Sequence, residues 1–135
     1  MILTDAGPLI ALVDRGDAEH ARCVAAASRL TGPMLTTWPA FTEAMYLLGA
    51  RAGWRAQAPV WRMVRLGQLV LADVTESMLA RMPSLMEQYR DLPMDLADAS
   101  LVALAEERRM REVFTLDSDF RVYRLSDGRA FSVVA

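Results

Sequence analysis

The chain contains no lysine: all fifteen of its basic residues are arginine. That excludes a Schiff-base amine, a phosphate-loop lysine and the lysine on which a receiver domain relies. A single cysteine, Cys23, leaves no intrachain disulfide and no cysteine-based zinc site. A single histidine, His20, excludes a His-rich metal site. It lies in DAEHARCVAAASRL, the pattern of a surface helix, where a structural role is expected. No apolar run approaches the roughly eighteen residues of a membrane-spanning helix. The short apolar stretch at the N-terminus has no basic segment before it and meets an acid at Asp5, which argues against a signal peptide. A cytoplasmic protein with no membrane partner is therefore expected.

What remains is a chain of 135 residues, 53% apolar and 24% charged, long enough to build a hydrophobic core. No repeat, linker or low-complexity segment divides it, so one domain over residues 1–135 is expected. The formal charge of −2 excludes a polyelectrolyte binder; contact with nucleic acid would need local arginine patches and metal ions. Any chemistry here falls to carboxylates, hydroxyls, arginines and bound ions.

Residues 2–5 read as a short buried strand, and Pro8 suits the first turn of a helix ending near Asp14. A second helix fits 17–30, closed by Thr31-Gly32-Pro33. MLTT (34–37) is a strand, and Pro39 opens a helix to about Ala50. Another helix follows Gly53 to about Gly67, with Pro59 expected to kink or break it. LVLADV (69–74) is a strand, and TESMLARMPSLMEQYR a helix that Pro83 is expected to interrupt. DLADASLVALAEERR (95–109) is the strongest helix, followed by strands at 112–116 and 130–134 with a turn at Asp117-Ser118-Asp119. Short apolar strands alternating with helices predict an α/β protein, a three-layer α/β/α sandwich around a mostly parallel sheet. In such folds ligands bind beyond the carboxyl ends of the strands.

That rule draws attention to acids that break the apolar pattern. Asp5 and Asp117 each end a predicted strand, which in a parallel sheet places both at the same edge. Glu43, in WPAFTEAMYLLGA, is the one charged residue between Arg29 and Arg51, and its helix-face neighbours Ala40, Ala44 and Leu47 are apolar. Asp98 is followed by Leu101, Val102 and Ala105, the buried stripe of its helix. Asp95 is the natural N-cap of that helix, and a capping box would account in part for Asp98 as well. Singly, each acid has a structural explanation. Gathered together, four carboxylates would repel one another and hold their protons unless cations entered. Oxygen-only ligation suits Mg²⁺ or Mn²⁺, ions that serve phosphoryl transfer.

These four positions resemble the motifs of PIN-domain ribonucleases, above all the VapC-type toxins of bacterial toxin–antitoxin pairs. LTDAGPLIAL is similar to the family's first motif, carried by Asp5; FTEAMYLL to the second, carried by Glu43. LADASLVALAE resembles the third, carried by Asp98, and FTLDSDF the fourth, carried by Asp117, with Asp119 as a supporting group or turn former. The resemblance implies a metal-dependent endoribonuclease in which Asp5, Glu43, Asp98 and Asp117 hold one or two Mg²⁺ or Mn²⁺ ions and water attacks an RNA phosphodiester. It also implies a homodimer and a small inhibitory antitoxin. The same residues allow a PIN-fold module that binds protein or RNA without cutting.

One departure concerns hydroxyls. Family members often carry Ser or Thr just after the first Asp, where this chain has Ala6-Gly7, with Thr4 as a substitute. Beyond the acids, Arg51, Arg55, Arg62 and Arg65 share about a quarter-turn if 51–65 is one helix. They form either a phosphate track or, as charge stripes more often do, a solvated face. Trp54 and Trp61 in the same stretch fit a partner contact or the core.

Overall fold

A computed structural model describes residues 1–135. Five strands form one parallel sheet in the order β3-β2-β1-β4-β5: β1 is Ile2–Thr4, β2 Met34–Thr37, β3 Leu69–Ala72, β4 Glu112–Phe114 and β5 Ser132–Val134. Six helices cover it: α1 Ala6–Val13, α2 His20–Ala27, α3 Trp38–Ala52, α4 Trp54–Arg65, α5 Glu76–Gln88 and α6 Leu96–Arg108. The α/β sandwich expected from the alternation is the architecture found. No helix is long and apolar enough to cross a membrane.

Strand alternation builds the two cores. Leu3, Leu35 and Val113 point to the face covered by α5 and α6, where they meet Met78, Leu85, Leu101 and Leu104. Ile2, Met34, Leu69 and Phe114 point to the other face, against Leu9, Cys23, Phe41, Leu48 and Val60 of the first four helices. Both faces are covered, so the middles of the strands are apolar, while buried Thr4, Thr36 and Thr37 stand at the carboxyl ends of β1 and β2. His20 fastens this layer: its Nδ1 lies 2.6 Å from the Ala11 carbonyl oxygen, tying α2 to α1.

The chain winds from β1 out to β2 and β3 on one side, then returns through α6 to place β4 and β5 on the other. The order therefore reverses between β1 and β4, and a crevice opens beyond their carboxyl ends. Helices start at this same edge, each with a polar cap. Asp5 accepts from the Ala6 amide, Thr37 from Ala40, Thr75 from Met78 and Asp95 from Asp98.

Several expectations are corrected. Neither Pro59 nor Pro83 breaks its helix; α4 and α5 run through both. Both prolines are exposed, and the carbonyls they leave unpaired, on Arg55 and Leu79, belong to exposed residues where water can take the bond. The strands are shorter than their apolar runs: β3 stops at Ala72, β4 at Phe114, and β5 begins at Ser132. Arg51 leaves the proposed arginine row. Gly53 separates α3 from α4, and Arg51 turns back to bridge Asp14 and Asp17, each at 2.8 Å. Two acids near the end of α6 also make contacts across the helix pair. Glu106 pairs with Arg81 at 2.8 Å, and Glu107 accepts from Thr75 and Ser77, fastening α6 to α5.

Gly53 is the one residue between two helices, at φ 62° and ψ −148°, a region open essentially to glycine alone. A Cβ there would meet nothing within 4 Å, so strain and not crowding decides the outcome. Gly53→Ala is expected to destabilise the protein by about 1–3 kcal/mol in urea unfolding. An unchanged midpoint would show that the α3–α4 junction relaxes freely.

Candidate active site

The crevice at the reversal point gathers acids from three elements. Asp5 directly follows β1, Asp98 lies in the first turn of α6, and Asp117 follows β4 after Thr115 and Leu116. One carboxylate oxygen from each lies within 4.8 Å of the others. Asp5 and Asp98 are buried, at 6% and 5% exposure, and Asp117 is partly exposed. Glu43, half-buried on α3, stands outside this tight trio but close enough to feel it. Burial raises its pKa first, and the charges of Asp95, Asp5 and Asp117 add to the rise. Asp119 also falls outside the trio. Its amide donates to Asp117 Oδ1 at 2.9 Å, within the 3₁₀ turn Ser118–Arg121.

Two hydroxyls that sequence reasoning passed over organise the acids. Thr115 Oγ1 donates to Asp5 Oδ2 at 2.9 Å and accepts the Asp117 amide at 3.0 Å, so one side chain fixes the acids of both strands. Thr4, the expected substitute for a hydroxyl after Asp5, instead donates to the carbonyl of Ile2 at 3.2 Å. The second hydroxyl is that of Tyr123, fully buried, which donates to Asp98 Oδ2 at 2.7 Å. Its ring is clamped edge-to-face between Phe120 and Tyr89, at 5.1 and 5.0 Å. Asp98 thus completes the spacing of a capping box without serving as one: its amide donates to Asp95 while its carboxylate turns inward to Tyr123. Sequence offered a signal for Thr115, a polar residue in the otherwise apolar run VFTL. Nothing local marked Tyr123, which reaches Asp98 across 25 residues.

No arginine neutralises these acids. The ion pairs of the protein lie elsewhere, between Arg22 and Glu19, Arg51 and Asp14/Asp17, Arg81 and Glu106, and Arg129 and Asp127. Burial is accordingly the main cause of a raised pKa at Asp5, outweighing its bonds from Ala6 and Thr115. At Asp98 burial dominates again, opposed by the Tyr123 bond and reinforced by Asp5, Asp95 and Asp117, and the carboxyl is pushed from its ordinary 3.8 to about 8. The donor set suits a hard divalent ion. All donors are oxygens, one from each acid lies within 4.8 Å of the others, and no arginine competes for them.

The raised pKa at Asp98 has a direct consequence for stability. Below about pH 4 the carboxyl is protonated in both folded and unfolded chains and contributes no pH dependence. Above that the unfolded chain ionises while the folded chain keeps its proton, so stability falls as pH rises, levelling off near about pH 8. The slope is at most about 1.4 kcal/mol per pH unit for one group. The acids lowered by Arg51, Asp14 and Asp17, act only on the acid side of this window. Metal-free protein in EDTA should therefore melt lower at about pH 8 than at about pH 5. A midpoint that climbs across that range would mean the buried acids are ionised in the folded chain.

Comparison with known proteins bears on the family and the fold. The ribonuclease VapC26 of Mycobacterium tuberculosis is 26% identical over 134 residues, 98% of this chain and 99% of that protein. The crystal structure of M. tuberculosis VapC20, a toxin that cleaves the sarcin–ricin loop, superposes with a TM-score of 0.82 at 21% identity, covering 90% of this chain and 94% of the other. VapBC2 from Rickettsia felis, solved on a DNA fragment from its promoter, gives a TM-score of 0.69 at 9% identity over the whole of both chains. At such identities these two structures show a common fold. The model of the PIN domain matches residues 2–125, a span that contains all four of the acids singled out from the sequence, and the chain is a member of the PIN domain family.

Proposed function

We propose that the chain is a metal-dependent endoribonuclease that hydrolyses RNA phosphodiester bonds and acts as the toxin of a toxin–antitoxin pair. The observation that carries this reading is the trio of unneutralised carboxylates at the sheet's reversal point. The names of the relatives support it: one is a ribonuclease, another a toxin that cleaves the sarcin–ricin loop, and a third was solved as a toxin–antitoxin complex. By the same likeness we assign a small antitoxin as partner and a homodimer as the working form.

In this reading Asp5, Glu43, Asp98 and Asp117 hold one or two Mg²⁺ or Mn²⁺ ions. A divalent ion held there would supply positive charge for the phosphate oxygens and acidity for an attacking water. The protein's part is orientation. Thr115 and the Ala6 amide fix the two oxygens of Asp5, while Tyr123 holds Asp98 Oδ2 and leaves Oδ1 without a hydrogen-bond donor. The Asp119 amide holds Asp117 Oδ1 and leaves Oδ2 in the same way. Asp98 gives up its proton when the ion is bound, which couples affinity to pH. Glu43, set back on α3 outside the trio, would complete the oxygen set from the far side, and its raised pKa means that it too would ionise on binding.

Wild type should cleave a mixed structured RNA with Mn²⁺ or Mg²⁺ and stop in EDTA, while Asp5→Asn and Asp98→Asn should fall to the EDTA level. Equal cutting by all three would expose a contaminant; a folded, metal-bound wild type that never cuts would favour a non-cleaving binding module. Metal at a hundred times its Kd should stabilise wild type by about 2.7 kcal/mol, read as a rise in melting temperature. Tyr123→Phe should keep the fold but weaken metal binding about 10- to 100-fold by titration calorimetry. Unaltered affinity would reduce Tyr123 to a packing role.

A further inference from the structure

The hydroxyls of Thr36, Thr37 and Ser100 are fully buried yet bond to none of the acids. A hydroxyl taken out of water needs a partner, and each of these has one. Thr36 and Thr37 end β2, a strand that supplies no acid, and they point to opposite faces of the sheet. Thr36 Oγ1 donates to the Thr4 carbonyl at 2.8 Å, on the peptide that joins Thr4 to Asp5. Thr37 Oγ1 lies 2.6 Å from Ser100 Oγ, 63 residues away on α6. Ser100 donates its proton to the Ala97 carbonyl at 2.7 Å, the bond by which a serine inside a helix satisfies itself. Its oxygen is therefore an acceptor toward Thr37, which donates to it while receiving the Ala40 amide at 3.3 Å. Ser100 is the only hydroxyl in the buried stretch Ala97–Ala105, where alanine would serve the helix better. What the hydroxyl adds is the bond to Thr37.

Thr37 caps α3, so this bond fastens the helix of Glu43 to the helix of Asp98. The apolar packing on this side of α3 uses small residues: Ala40 and Ala44 are fully buried, and Ala40 shares a core with Ala97 and Leu101. Apolar contact has no direction and lets one helix slide on another. A hydroxyl pair at 2.6 Å fixes the register. Glu43 lies six residues beyond Thr37, about 9 Å along the helix. Only burial and neighbouring charges act on its carboxylate, with no hydrogen bond to hold it, so its place is fixed by that of its helix. We propose that Thr37 and Ser100 are a positioning pair whose bond sets the distance of Glu43 from Asp98, and with it the completeness of the oxygen set around a divalent ion. The inference rests on the assignment of Glu43 as a ligand under the nuclease reading above.

The test is Mn²⁺ titration calorimetry on the whole chain, with the melting temperature of each metal-free protein measured beside it. Ser100→Ala should bind Mn²⁺ about tenfold more weakly, as loss of an outer support does. Thr37→Ser, which keeps the hydroxyl, should bind as wild type. In a Glu43→Ala background, Ser100→Ala should cost nothing further, because the pair then has no ligand to place. Ser100→Ala that melts lower but binds Mn²⁺ as wild type would make the bond a matter of packing and overturn the proposal. So would an equal loss in both backgrounds, which would put the effect on Asp98 and not on Glu43. If Ser100→Ala fails to fold because it strands the Thr37 hydroxyl, the double variant Thr37→Val with Ser100→Ala removes both partners and takes its place. Wild type that binds no Mn²⁺ overturns both readings. Wild type that binds Mn²⁺ and shows this coupling, yet cuts no RNA, removes the nuclease and leaves the positioning pair standing.

Discussion

The burial of Asp5 and Asp98 beside Asp117 is the constraint around which this protein is arranged. Carboxylates taken out of water, close together and with no basic side chain near, favour unfolding or protonation, and their mutual repulsion adds to that cost. The fold tolerates them because each is held by donors that cannot follow it: the first amide of α1, the Thr115 hydroxyl, the Tyr123 hydroxyl and the Asp119 amide. These donors ease the charge without cancelling it. A site left electrically unfinished in this manner is one that a divalent ion completes, which is why the arrangement speaks for metal chemistry more strongly than any one acid does.

The sheet order supplies the place. Strand β1 lies at its centre, and the chain leaves it in one direction before returning on the other side. Two neighbouring parallel strands then end side by side with no crossover helix covering the gap between them. The N-termini of α1, α3 and α6 face the same edge, and their caps are polar by necessity, so together with the threonines that end β1 and β2 they make the crevice polar above two apolar cores. Asp5 is at once a helix cap and a member of the acidic trio.

The helix and strand order was legible because each strand is a short apolar run bounded by a turn or cap. The two exposed prolines misled because proline's local cost was weighed without the water that offsets it. Strand ends were overrun for a different reason. Asp73 and Val74 continue an alternating pattern that nothing pairs with. Among the acids, those at strand ends could be placed together from parallel topology alone, whereas Glu43 stands back from the trio by an amount no spacing rule gives. Tyr123 was illegible since its meaning depends on the loop after β4 folding back beneath α6. Arg51 shows the same limit: its role was decided by Gly53, which turns the chain at that point and sends the guanidinium to Asp14 and Asp17.

The bond from Thr115 to Asp5 spans 110 residues, nearly the full length of the chain. Strand β1 leaves the ribosome first and waits at the middle of a sheet whose other half does not yet exist. Until β4 pairs beside it, Asp5 lacks its hydroxyl donor and Asp117 has no fixed position. The acidic centre is therefore assembled by the last quarter of the polypeptide, and any nascent or truncated chain that ends before Thr115 is chemically incomplete, however well its first three strands have formed. Synthesis and competence are separated by the topology itself.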